Sequence, residues 1–269
     1  MSAEMKQTDT LTRTALITGA SSGLGYELCK QFAQDNINII LVARNETRLK
    51  KLGEELERDY GISITLIPID LSIPDAAKQL HSRVQEKGLS IDYLVNNAGI
   101  GFYGQFCESA PNANLEMINL NILTLVQLTR FFLPEMIEKG WGRILNVASL
   151  AAYQPGGPGA AVYYASKSFV LSFNRALSVE LKGTGVTATA LCPGAMNTGF
   201  EIKGGFSPTR LYRYLTSNPK TNAKIGYRAM QKGEMAVVPG MLNKLLAIAG
   251  ELPPRQIALF VNKFLLSRS

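Results

Sequence analysis

Cysteine is scarce in this chain. Cys29, Cys107 and Cys192 are its three thiols, odd in number and far apart. That set cannot make a full disulfide framework, and it lacks the paired spacing of a zinc site. The expectation is reduced thiols in a cytoplasmic protein with no bound metal. Long apolar runs are also missing, since none reaches the ~18 residues of a membrane span. The opening MSAEMKQTDT has no apolar core of the signal-peptide kind, and residues 1–12 read as a loose tail. Lys and Arg outnumber Asp and Glu by 28 to 21, yet the densest cationic pair is Lys50-Lys51. Without a Lys/Arg run, nucleic acid is not an expected partner; small ligands bearing phosphate are. No internal repeat or low-complexity linker divides the chain, so residues 1–269 are expected to form one domain.

What is present is alternation. Apolar runs read as strands at Thr14–Thr18, Asn38–Ala43, 63–69, Tyr93–Asn96, 143–148 and 187–192, with helical patterns between them, among them Gly23–Gln34 and 46–59. Continuous apolar strands imply a parallel sheet covered on both faces. Strand–helix alternation implies right-handed crossovers and a doubly wound α/β fold. Residues 195–233, rich in Gly, Asn, Thr and aromatics, break the rhythm and read as an excursion above the sheet. The tail 251–269 reads as a helix begun by Pro253-Pro254. Its stripe Ile257, Phe260, Val261, Phe264 and Leu265 is expected to dock on its own domain or on a partner subunit. Attachment to a membrane surface, helped by Arg255, Lys263 and Arg268, is the alternative.

The first strand runs into Gly19, Ala20, Ser21, Ser22, Gly23, Leu24 and Gly25. Glycines at this spacing let the backbone turn and approach a pyrophosphate, and the helix that follows offers its free N–H groups. The second strand ends in Ala43-Arg44, where an NAD site would usually carry a carboxylate. Arg44 can instead grip a 2′-phosphate, which points to NADP(H). Asp70 and Leu71 close the third strand at the adenine edge, and Asn97, Ala98 and Gly99 close the fourth, where small residues admit a cofactor.

Tyr163 and Lys167 stand four apart at the start of a helical pattern, so they share a face. An ammonium close to a phenol eases its ionisation. Ser149 ends the fifth strand fourteen residues earlier, with the PGGPGA loop in between. Asn121 lies in MINLNIL beside a competing Asn119, and Pro193-Gly194 with Thr198 follows the sixth strand.

Taken together, the glycine loop, NNAG, Ser149, YxxxK and PGxxxT resemble the short-chain dehydrogenase/reductase family, from about residue 14 to 198. The resemblance implies a Rossmann-type sheet of about seven strands and a homodimer or homotetramer. It implies catalysis by Asn121, Ser149, Tyr163 and Lys167. Tyr163 would exchange a proton with the substrate oxygen, and Lys167 would lower its pKa and hold the nicotinamide ribose. Ser149 would orient the substrate, Asn121 would position a water, and Thr198 with Pro193 and Gly194 would hold the carboxamide. The reaction implied interconverts a carbonyl and a secondary alcohol. The excursion carries Phe200, Phe206, Leu211, Tyr212, Tyr214 and Leu215, and with Phe102 and Tyr103 it suggests a bulky apolar substrate such as a 3-oxoacyl compound or a cyclic ketone. Arg210 and Arg213 offer a hold on an anionic group. A catalytically silent nucleotide sensor is the alternative function, and the intact tetrad argues against it.

Overall fold

The computed structural model describes residues 13–207 and 209–267; the expected tail 1–12 and the last two residues lie outside them. Seven strands form one parallel sheet: β1 Thr14–Thr18, β2 Asn38–Ala43, β3 Ile64–Pro68, β4 Tyr93–Asn96, β5 Gly142–Val147, β6 Val186–Leu191 and β7 Ala236–Val237. Their spatial order is β3-β2-β1-β4-β5-β6-β7. The order reverses between β1 and β4, and that reversal opens a crevice at the carboxyl ends of the strands.

The helices are α1 Gly23–Gln34, α2 Glu46–Tyr60, α3 Ala76–Glu86, α4 Pro111–Ile118, α5 Leu125–Glu138, α6 Ala161–Glu180, α7 Phe200–Lys203, α8 Arg210–Tyr214, α9 Pro219–Gln231, α10 Met241–Glu251 and α11 Arg255–Leu266. Strand residues alternate between two cores. In β1, Ala15 and Ile17 join the core under α1, α2 and α9, while Leu16 joins the core under α3, α5 and α6. This period-two division explains why the strands are apolar throughout. The stretch Asn112–Glu138 is long and apolar enough to cross a membrane by composition. Here its Leu128, Phe132 and Met136 are buried in the second core, so packing accounts for its apolarity.

Local chemistry sets the boundaries. Asn45 caps α2 by accepting from the Arg48 amide at 2.9 Å, and Gly61 ends that helix at φ 67°. Asn218 caps α9, with Pro219 in its first turn. This corrects the expected excursion over 195–233. Its second half is a core helix, with Ala223, Tyr227 and Met230 buried against the sheet. Below the crevice, Asn96 and Asn146 face each other across β4 and β5. Asn96 donates to Asn146 at 2.9 Å, and Asn146 donates to Asn174 of α6 at 3.0 Å. These buried amides tie three elements together at the depth of the site.

The C-terminal helix corrects a second expectation. It begins at Arg255 and turns Ala258, Asn262 and Leu266 inward, while Ile257, Phe260, Val261 and Phe264 stay exposed. Asn262 donates to the Gly156 carbonyl at 2.7 Å, so a polar clasp, not the apolar stripe, fixes which face looks in.

Candidate active site

A cleft of about 1150 Å³ runs along the carboxyl edge of the sheet, from the β1–α1 loop to α11. Its nucleotide end is built from the glycine loop. Gly19 has φ 66°, and a Cβ on Gly25 would meet the Gly19 carbonyl oxygen at 2.2 Å. Only glycine lets the helix start this close to the strand end. Ser22 does not cap α1 with its side chain, and the first turn holds no acidic residue. The positive helix end therefore faces the cleft unneutralised, as an anion site needs. Asn97 braces the loop by donating to the Thr18 carbonyl at 2.8 Å.

Arg44 lines the cleft at the end of β2 and pairs with Asp70 at 3.5 Å. Partial burial opposes ionisation of Asp70, but two hydrogen bonds from Ser72 and the Arg44 charge prevail and hold its pKa below the ordinary value. Arg48, one helical turn on, lines the same end. The sequence reading missed it; its signal was a second arginine at i+4 from Arg44, over a helix whose start Asn45 fixes.

The reactive centre lies at mid-cleft. Ser149 follows β5, and its hydroxyl accepts from the Ala151 amide at 3.1 Å. It also lies against the Tyr163 phenol, where it favours the ionised form, but burial prevails and raises the Tyr163 pKa. Lys167 shares the helix face of Tyr163, with its Nζ 5.9 Å from the ring centre. That ammonium donates to the Val147 carbonyl at 2.9 Å, and burial lowers its pKa to about 8. The expected lowering of the Tyr163 pKa by Lys167 is thus not what this geometry gives. Desolvation dominates both groups, and the lysine is aimed at the β5 backbone.

Asn121 stands one layer back. Its amide accepts from the Ile100 N–H at 3.0 Å and donates to the Ile100 carbonyl at 2.9 Å and to Ser166 at 3.0 Å. A π turn over Asn119–Thr124 sets this up, sending Asn119 away to the Ser72 carbonyl and Asn121 inward. Asn121 does not line the cleft, but a Cβ on Gly99 would lie 3.2 Å from its Oδ1 and 3.4 Å from the Lys167 Nζ. The three positions therefore converge. Every other residue expected to act in catalysis or to hold the cofactor lines the cleft: Gly19, Ser21, Ser22, Gly23, Leu24, Gly25, Arg44, Asp70, Leu71, Asn97, Ala98, Gly99, Ser149, Tyr163, Lys167, Pro193, Gly194 and Thr198.

The far end is apolar. Phe200 and Phe206 pack on the Tyr163 ring at 5.6 and 5.7 Å between centres, and Tyr212 packs on Phe206. Tyr164 is buried and lines this end too, as do Gln154, Leu246, Ala258 and Leu265. Tyr103, Arg210, Arg213, Tyr214 and Leu215 do not line it. Tyr103 is drawn off by its hydrogen bond to the Leu266 carbonyl. Arg210 reaches Ser267 at 2.8 Å and covers the Phe264 ring, so it fastens the end of α11 and is not directed into the cleft.

A family model described as short chain dehydrogenase matches residues 13–204. The chain belongs to this family. It is an oxidoreductase acting on CH–OH groups, and the seven-stranded parallel sheet is the fold it shares with solved members. One similar dehydrogenase is the ketoacyl reductase HetN of a Nostoc species, 32% identical over 92% of this chain and 88% of the relative. Another is the very-long-chain 3-oxoacyl-CoA reductase of Anas platyrhynchos, 32% identical over 66% of this chain and 58% of that longer relative. Among solved structures, a short-chain dehydrogenase from Sphingobium yanoikuyae in complex with NADPH superposes with a TM-score of 0.79. It is 27% identical, covering 88% of this chain and 92% of that one.

Proposed function

We propose that this dehydrogenase interconverts a carbonyl and a secondary alcohol with NADP(H), on a bulky apolar substrate such as a 3-oxoacyl compound or a cyclic ketone. The observation that carries the reading is the meeting of Ser149, Tyr163 and Lys167 between a phosphate-accepting helix end and an aromatic wall. The donor set suits the dinucleotide. The glycine cradle and the α1 amides would receive the pyrophosphate, and Arg44 with Arg48 would receive the 2′-phosphate. Thr198 and the backbone at Pro193-Gly194 would hold the carboxamide, and Lys167 the ribose. The NADPH complex of the Sphingobium relative and the ketoacyl names of HetN and the duck enzyme support the same cofactor and substrate class.

When bound, the dinucleotide supplies the hydride that the carbonyl carbon receives. The chain handles the oxygen. Ser149 donates a hydrogen bond to it and fixes its direction. Tyr163, kept protonated by burial, gives its hydroxyl proton to that oxygen in reduction and takes one back in oxidation. Lys167 is the cation nearest the phenolate that forms, and its pKa near 8 lets it return a proton at neutral pH. Asn121 holds the Ile100 backbone behind Gly99, which positions the wall on which the ring would lie. Exposed Phe169 and Val179 on α6 support a homodimer or homotetramer.

Tyr163→Phe is the test. Turnover of ketones with NADPH is expected to fall by at least about 10²-fold, while NADPH binding, followed by its fluorescence, changes less than about twofold. Turnover at the parent rate would overturn the assignment.

A further inference from the structure

Helices α10 and α11 present an apolar face that nothing among the described residues covers. Phe260 is 77% exposed and Met241 74%, the two most exposed large apolar side chains among the described residues. On α10, Met241, Leu245 and Ile248 lie along one stripe, and on α11 Ile257, Phe260 and Phe264 lie along another. Such a patch on a soluble chain marks a surface used for contact. The patch is continuous with the mouth of the cleft, since Leu252, Ile257 and Val261 are exposed and also line it.

The charges around the patch have one sign. Lys244, Arg255 and Lys263 are exposed on the two helices and form no ion pair among the described residues. The single carboxylate on either helix, Glu251, is already bound to Arg175 at 3.1 Å. A second copy placed face to face would set these cations near their own images, which like-charge repulsion opposes. A surface of anionic phospholipid suits both components, because its acyl boundary accepts the apolar stripe and its headgroups accept the cations.

We propose that α10 and α11 seat the protein on an anionic lipid bilayer, with the cleft mouth facing the lipid. This rests on the apolar reading of the cleft only for its purpose: an apolar ketone dissolved in the bilayer would reach Tyr163 without crossing water. The contact itself requires neither cofactor nor catalysis.

The test is co-sedimentation of the intact chain with vesicles of equal parts phosphatidylglycerol and phosphatidylcholine, and with vesicles of phosphatidylcholine alone. The chain is expected to pellet with the anionic vesicles and to partition at least about tenfold less to the neutral ones. The pair Leu245→Ser and Phe260→Ser, both outside the cleft, should lower partitioning by at least about tenfold. Its turnover of a water-soluble ketone should be unchanged, which shows the variant is folded. A chain that stays in the supernatant with both vesicle types overturns the proposal, as does equal binding to both. A variant that pellets like the parent but loses an oligomer in analytical ultracentrifugation also overturns it, assigning the face to a second copy. Pelleting is read without substrate, so a failed reductase assay leaves this result standing, and the reverse holds equally.

Discussion

Lys167 is a charge held where the fold opposes it. Its side chain is buried, and its pKa drops from 10.5 to about 8. Between those values the unfolded chain binds a proton that the native chain does not, so this lysine makes stability rise with pH across that window. Below about pH 8 its full cost is present, on the order of 3 kcal/mol before the hydrogen bond to Val147 is set against it. Lys167→Met keeps the length of the chain and removes the charge. At pH 7 the variant is expected to resist urea better than the parent by about 1–3 kcal/mol, and the gain should vanish as pH approaches 10.5. Its turnover should be lost, as for other functional groups that a fold carries at a cost in stability. Urea titrations at pH 7 and pH 10 check this. A variant weaker than its parent at pH 7 would mean that the Val147 bond outweighs the desolvation.

At the scale of elements, α11 is a wall held by few polar ties. Asn262 donates to the Gly156 carbonyl at 2.7 Å, and Tyr103 and Arg210 hold the helix end. Gly156 belongs to the PGGPGA loop, where Gly156 and Gly159 take φ of 157° and 83°. The loop between Ser149 and Tyr163 is thus also the docking point of α11. Asn262→Ala leaves a part-buried carbonyl without this donor, at about 1–2 kcal/mol. The expected result is a KM for a bulky ketone raised about five-fold or more, with the KM for a small ketone and NADPH affinity near parent values. Equal changes for both ketones would mean general disruption and would remove the wall role. Here the limits of sequence patterning show. The bounds of β1, α1, β2 and β4 could be read directly, because apolar runs there meet glycine or asparagine turns. Helix α9 was hidden because small and polar residues (Asn222, Ala223, Gly226) surround its buried Tyr227 and Met230. Helix α11 showed its period but not its direction, because the buried residue is Asn262 and the exposed one Phe260. Ser149, Tyr163 and Lys167 were legible from a strand end and an i,i+4 pair; Gln154 and Tyr164 join the cleft through tertiary packing, which no local pattern announces.

Across the whole molecule, the cleft straddles the reversal of strand order. One half supplies the glycine loop, Arg44 and Asp70; the other supplies Ser149, Tyr163, Lys167 and Thr198. The halves meet along a short β1–β4 pairing, Ala15 to Ile17 against Tyr93 to Val95, braced by the Asn97 bond to Thr18. A dinucleotide lying across that seam would touch both halves and so oppose unfolding of either. At a concentration of about 100 times its Kd, a ligand specific for the native state adds about 2.7 kcal/mol. For a chain of this size that is a rise in Tm of about 5–10 °C. NADPH is expected to give this shift, and NADH at the same concentration a smaller one, because Arg44 and Arg48 meet a phosphate only in NADPH. Arg44→Ala should bring the two shifts together by reducing that of NADPH. Equal shifts in the parent chain would remove the arginines from cofactor choice. A shift from neither dinucleotide would deny that the crevice is the nucleotide site at all.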